Sequence, residues 1–132
     1  MSTTILALDI GERKIGIARA STVAKIPEPL VTLANDKLFA EKLNELIKEY
    51  DVKKLVIGLP RGLDGQDTQQ TNYIKFFVSQ LKPNTEIIFQ DEALTSVNAQ
   101  EMLKQSGKPY LKEDIDAVAA MLILDDYLKE EL

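Results

Sequence analysis

A chain of 132 residues, 45 % hydrophobic and 28 % charged, has the size of one domain and can remove roughly 65 to 70 % of its unfolded surface from water without covalent staples. It contains no His and no Cys, which excludes Ser-His and Cys-His nucleophilic catalysis and the usual zinc sites, and leaves carboxylates, the ligands that suit Mg²⁺ or Mn²⁺. The formal net charge of -5 argues against broad affinity for nucleic acid while leaving room for a local basic patch.

No apolar run approaches the ~18 residues of a membrane span, and Met1 to Thr4 is too short and too uncharged for a signal peptide, so a cytoplasmic protein with no membrane partner is expected. The first run, "ILALDI", places Ile5, Ala7 and Asp9 on one face and Leu6, Leu8 and Ile10 on the other. It is apolar on both until Asp9, as in a strand buried on both sides. After Gly11, "KIGIARA" reads as the returning arm of a hairpin and "PLVTL" as a third, shorter strand after Pro27 and Pro29 have broken the chain.

From Lys37 to Tyr50 the residues Phe39, Leu43, Leu46, Ile47 and Tyr50 follow helical spacing. "KKLVIGLP" reads as a buried strand. Ile74, Phe77, Val78 and Leu81 give a second helix ending near Pro83, and "TEIIFQDE" a further strand. The alternation of strand and helix predicts parallel pairing through helical crossovers. A short helix is expected around Val97 to Lys104, and "IDAVAAMLILDDYL" predicts a last helix largely buried against the sheet. With no linker or repeat, residues 1–132 read as one α/β domain: a hairpin and third strand, antiparallel, followed by parallel strands.

Acidic residues stand at the ends of apolar elements: Asp9 after the first strand, Asp91 and Glu92 after "EIIF", and Asp116 in the expected first turn of the last helix. The C-terminal ends of parallel strands share one sheet edge, where open α/β sheets bind ligands. Asp116 shares a helical stripe with Ala119, Ala120, Ile123 and Tyr127, whose alanines favour close packing on the sheet. Converging carboxylates repel, and burying an uncompensated charge costs several kcal/mol, so such a group persists when a cation neutralises it. Two Mg²⁺ ions ~4 Å apart can then activate water for phosphodiester hydrolysis without histidine. Each residue also has a plainer reading: Asp9 as a turn-former, Asp116 as a favourable charge at a helix start, Asp91 and Glu92 as solvated loop groups. Their coincidence favours the functional one. "GLPRGLDG", Gly58 to Gly65, offers tight turns for close approach of backbone to a phosphate, with Arg61 on the same edge; Arg13 and Lys14 in the hairpin turn are further phosphate-binding candidates. For these too, solvated turn charge is the plainer account.

Four segments in order, "LDIGERKIGIA", "VIGLPRGLDG", "DEALTSVNAQEML" and "DAVAAMLILDDYL", resemble the signature motifs of the YqgF/RuvX family. These are Holliday junction resolvase-like proteins of the RNase H-like superfamily, associated with maturation of precursor 16S ribosomal RNA. The resemblance implies an RNase H-like fold, a five-stranded mixed sheet flanked by helices. It also implies a nuclease whose metal-binding and catalytic positions fall on Asp9, Glu92 and Asp116, with Asp91 as neighbour. The implied activity is Mg²⁺- or Mn²⁺-dependent endonucleolytic processing of the 5' end of precursor 16S rRNA. Cleavage of branched DNA at a Holliday junction and a non-catalytic RNA-binding module are the alternatives. Nucleotide binding of the actin-like type is a further one, weakened because that fold needs two such domains. Monomer and homodimer both suit the expected chemistry. The chain departs from the family pattern at Glu12 (usually Thr), at Ala93 (usually Arg), and at Glu113 and Asp114, where basic residues are common; each change lowers the local positive charge.

Overall fold

A computed structural model describes residues 3–62, 65–92 and 112–131, the last stretch with side chains from Ile115 onward. Strand β1 (Thr4–Ile10) is the middle of the sheet. Its alternation works as predicted: Leu6, Leu8 and Ile10 are buried on one face, Ile5 and Ala7 on the other. Strand β2 (Lys14–Ser21) returns antiparallel, with Asp9 opposite Gly16 and Ile10 opposite Ile15. Strand β3 (Glu28–Ala34) pairs antiparallel with β2. Pro29, expected just before this strand's apolar run, lies inside it opposite Ala18, where the register shifts. An edge strand tolerates the missing N–H at such a place.

Helix α1 (Phe39–Glu49) begins two residues later than predicted, because the Asp36 side chain accepts from Leu38 N at 2.9 Å and holds a turn there. It ends where Asp51 takes a positive φ of 50°. Strand β4 (Val52–Pro60) runs parallel to β1. Helix α2 (Gln69–Leu81) starts at a capping box between Thr68 and Thr71. The Thr71 hydroxyl also donates to the Pro60 carbonyl and ties the helix start to the end of β4. Strand β5 (Glu86–Glu92) is parallel to β4, and the sheet order is β3-β2-β1-β4-β5. Helix α3 (Lys112–Glu131) follows. The helix expected at Val97 to Lys104 lies outside the described residues.

The two faces of the sheet are unlike. Large side chains from Leu6, Leu8, Ile10, Ile57 and Leu59 pack under α1 and α2. On the other face small residues, Ala7, Ala18 and Ala20, meet Ala120, Ile123, Leu124 and Tyr127 of α3. Small against small brings α3 close. Ala119, expected on that stripe, instead joins Val118 in a separate cluster; at about 100° per residue it stands ~60° off the line through 116, 120, 123 and 127. No helix among the described residues is long and apolar enough to cross a membrane.

Candidate active site at the sheet edge

Strands β1, β4 and β5 are mutually parallel and end on one edge, and two glycines let α3 reach it. A Cβ built on Gly16, the cross-strand partner of Asp9, would overlap the backbone carbonyl of Asp116. Helix α3 therefore rests on bare sheet backbone at that point, and Asp116 stands beside Asp9. Gly58 does the same for the Ile123 side chain further along the helix. The Asp9 carboxyl is pushed up from 3.8 to about 6, first by burial and then by the negative charge of Asp116. Asp116 lies in the second turn of α3, not the first, because the helix starts at Lys112, before the apolar run. Dipole stabilisation of a carboxylate fades beyond the first turn, which weakens the purely structural reading.

Glu92 closes β5 on the same face as Gln90, whose Nε2 donates to Glu130 Oε1 of α3 at 3.0 Å. Its Oε1 is buried and has no hydrogen-bond partner among the described residues. The carboxyl is pushed up to about 9, by burial, by a hydrogen bond to Asp126, and then by the charges of Asp126, Glu130 and Asp9. Two carboxyls in hydrogen-bond contact must share a proton. Asp126 and Glu130 were not expected from sequence. The signal was present, since Asp126 and Glu130 share a helical line with Ala119, at spacings of seven and eleven, on the flank of the 116–120–123–127 stripe.

Asp91 is separated from this group. Strand alternation turns it to the α2 side, where Arg61 Nε donates to its Oδ1 at 2.8 Å. Arg61 Nη1 pairs with Asp67, which Lys75 also engages at 2.9 Å. The guanidinium is thus already balanced. In the loop after it, Gly62 N donates to Gln66 O and Gly65 N to Gly62 O, both at 2.9 Å, so those two amides serve the loop itself. Arg13 is exposed in the β1–β2 turn and Lys14 opens β2 opposite Ala34. That turn is braced by Asn35, whose Nδ2 donates to Gly11 O at 2.8 Å and whose N donates to Arg13 O at 2.8 Å. Ala93 and the side chains of Glu113 and Asp114 lie outside the described residues.

Among the described residues no three acidic side chains already form a cluster enclosing a metal. Asp9 and Asp116 are adjacent, while Glu92 is turned to Asp126. The donors nevertheless fit a hard divalent cation in kind: all are carboxylate oxygens, mutually repulsive, and Glu92 Oε1 is buried with no hydrogen-bond partner among the described residues.

A family model described as "RuvX: Holliday junction resolvase" matches residues 3–130. The chain is 44 % identical over 128 residues to a protein of Sulfurihydrogenibium sp. named "Putative pre-16S rRNA nuclease", covering 94 % of this chain and 88 % of that one. It is 42 % identical over 132 residues to a protein of the same name from Chloroflexus aggregans, covering 95 % and 92 %. Among solved structures it resembles Thermus thermophilus RuvC in complex with a Holliday junction substrate, with a TM-score of 0.58 at 10 % identity over 98 % of this chain and 96 % of that one. At that identity the likeness speaks to the fold, which is RNase H-like, as the sequence motifs implied.

Proposed function

Because the chain belongs to the RuvX family, we propose that residues 1–132 form one nuclease domain hydrolysing phosphodiester bonds of structured nucleic acid, with precursor 16S rRNA, near its 5' end, as substrate. The observation that carries this reading is the contact of α3 with Gly16, which sets Asp116 beside Asp9 at the edge where β5 delivers Glu92. We assign Asp9, Asp116 and Glu92 to hold Mg²⁺ or Mn²⁺. Such an ion, when bound, supplies a water of lowered pKa and neutralises charge on the leaving oxygen. Asp9 and Asp116, which repel each other, are the pair a cation relieves most. Glu92 adds a buried oxygen with no hydrogen-bond partner among the described residues. Asp91 and Arg61 form a brace on the other side of the edge, and Arg13, exposed in the β1–β2 turn, would meet a phosphate of the substrate.

A metal-titrated cleavage assay on a precursor small-subunit rRNA fragment, beside a four-way DNA junction, tests the reading. Wild type should cut the RNA in Mg²⁺ or Mn²⁺, and Asp9→Asn should lose at least ~100-fold in rate, the scale of removing one central catalytic group. Equal cleavage by both proteins would overturn it; cutting of the junction alone would reassign the substrate. The engagement of Glu92 by Asp126 favours a second reading, an RNA-binding module without catalysis. That reading predicts RNA affinity indifferent to Mg²⁺ and to Asp9→Asn.

A further inference from the structure

Beside the carboxylates, but on the α2 side of the edge, lies a cavity of about 930 Å³ lined by Glu12 of the β1–β2 turn, Arg61 after β4, and Gln69, Gln70 and Tyr73 of α2. We propose that this cavity seats an unpaired nucleobase of a single-stranded segment, stacked on Tyr73 and read at its hydrogen-bonding edge by Glu12, with guanine the base it suits best. The proposal rests on the nuclease reading for the presence of a strand at this edge.

The charge balance disfavours a phosphate here. Arg61 and Lys75 are set against Asp67 and Asp91, with which they pair, and Glu12 adds a further negative charge. What the wall offers instead is acceptors, amides and a ring. Glu12 is exposed and has no hydrogen bond or ion pair with any described residue. A carboxylate only accepts, through two oxygens, and guanine's N1–H and N2–H₂ are neighbouring donors on the edge that only an unpaired base exposes. The ring is held in place, since Asn35 Nδ2, which braces the β1–β2 turn, also donates to the Tyr73 hydroxyl at 3.0 Å.

The aromatic surface continues along α2. Gln69, Tyr73, Phe76 and Gln80 fall within an arc of about 60° at helical spacing, opposite the buried Thr71, Ile74 and Val78. Tyr73 is 39 % and Phe76 58 % exposed. A stripe of exposed rings flanked by uncharged amides is the surface on which successive bases stack. Glu12 lies three positions after Asp9, a backbone reach of at most about 11 Å, so the cavity adjoins the carboxylate edge.

The test is fluorescence-anisotropy binding of labelled ten-nucleotide strands to the full chain in EDTA, where no cleavage occurs. A guanine-containing single strand should bind at least ~10-fold tighter than its duplex, and replacing guanine by inosine, which lacks the 2-amino group, should weaken binding. Tyr73→Ala and Phe76→Ala should each cost about 5- to 150-fold, as loss of one stacked base does. Glu12→Ala should raise overall affinity by removing negative charge yet abolish the guanine-over-inosine preference. Tyr73→Phe, which keeps the ring and loses the bond to Asn35, separates stacking from support of the turn and should retain most affinity. Equal binding of strand and duplex, or affinity unmoved in both folded alanine variants, overturns the proposal. A normal set of binding results with no cleavage in metal would overturn the nuclease reading alone; cleavage indifferent to Tyr73 and Phe76 would overturn this one alone.

Discussion

Glu92 is the residue whose state decides what the edge can do. A single strand position separates it from Asp91, and alternation alone gives the two opposite fates: Asp91 meets the Arg61 guanidinium, whereas Glu92 is directed at the acidic stripe of α3. Burial and the contact with Asp126 keep it protonated near neutral pH. Replacing Asp126 with Asn removes the repelling charge and supplies an amide donor that favours the ionised form. The Glu92 pKa should therefore fall by at least ~1 unit from its value of about 9. Carboxyl ¹³C chemical shifts followed against pH would show it, and an unmoved Glu92 titration would mean that Asp126 does not govern it. The sequence could place Asp91 and Glu92 at a strand end and left the choice between them open, because the choice depends on which helix covers which face.

At the scale of elements, the site depends on how low α3 rides over β2 and β4. The two glycines beneath it predict different costs. At Gly16 an added methyl meets the backbone of Asp116, which cannot rotate away, so the helix must rise. At Gly58 it meets the end of the Ile123 side chain, which can. Gly16→Ala should cost ~2–3 kcal/mol and Gly58→Ala ~1 kcal/mol, the range for overpacking a filled core, measured as urea midpoints at constant slope. Gly16→Ala should also lower the Asp9 pKa by moving Asp116 off. Equal costs would argue against close helix seating. The strands and the first two helices were legible from alternation and helical spacing, since those patterns report local geometry directly. The role of Gly16 was not, although it sits inside the LDIGERKIGIA motif, because its partner is a hundred residues away and no periodicity connects them. The capping box that starts α2 is likewise hidden in the sequence: Thr68 and Thr71 lie in a polar stretch with no apolar spacing to mark it.

For the whole molecule these groupings set the dependence of stability on pH. Folded Asp9 holds its proton up to about pH 6 against an ordinary 3.8, and folded Glu92 to about 9 against 4.5. Between those limits the folded chain binds more protons than the unfolded one, so stability falls as pH rises. The contribution of these two groups is fully present below about pH 4 and is lost through pH 6 and on toward 9, the reverse of an acid-denaturing protein. Asp9 accounts for ~1–2 kcal/mol, after discounting its two-unit shift for partial solvent screening. The formal charge of -5 adds general repulsion in the same direction. Asp116→Asn should flatten the slope and raise the melting temperature at pH 8, because it removes the second cause of the Asp9 shift. A helix-start role for Asp116 predicts the opposite sign, a loss of roughly 0.3 to 1 kcal/mol. Mn²⁺ should stabilise wild type more at pH 8 than at pH 5, since protons and cation compete for the same oxygens, and should stabilise Asp116→Asn much less. Melting curves at both pH values, with and without Mn²⁺, give all four comparisons. A metal-induced shift that is equal in the two proteins would remove Asp116 from the cation site, while a flat pH profile in wild type would remove the repulsion from which the site was inferred.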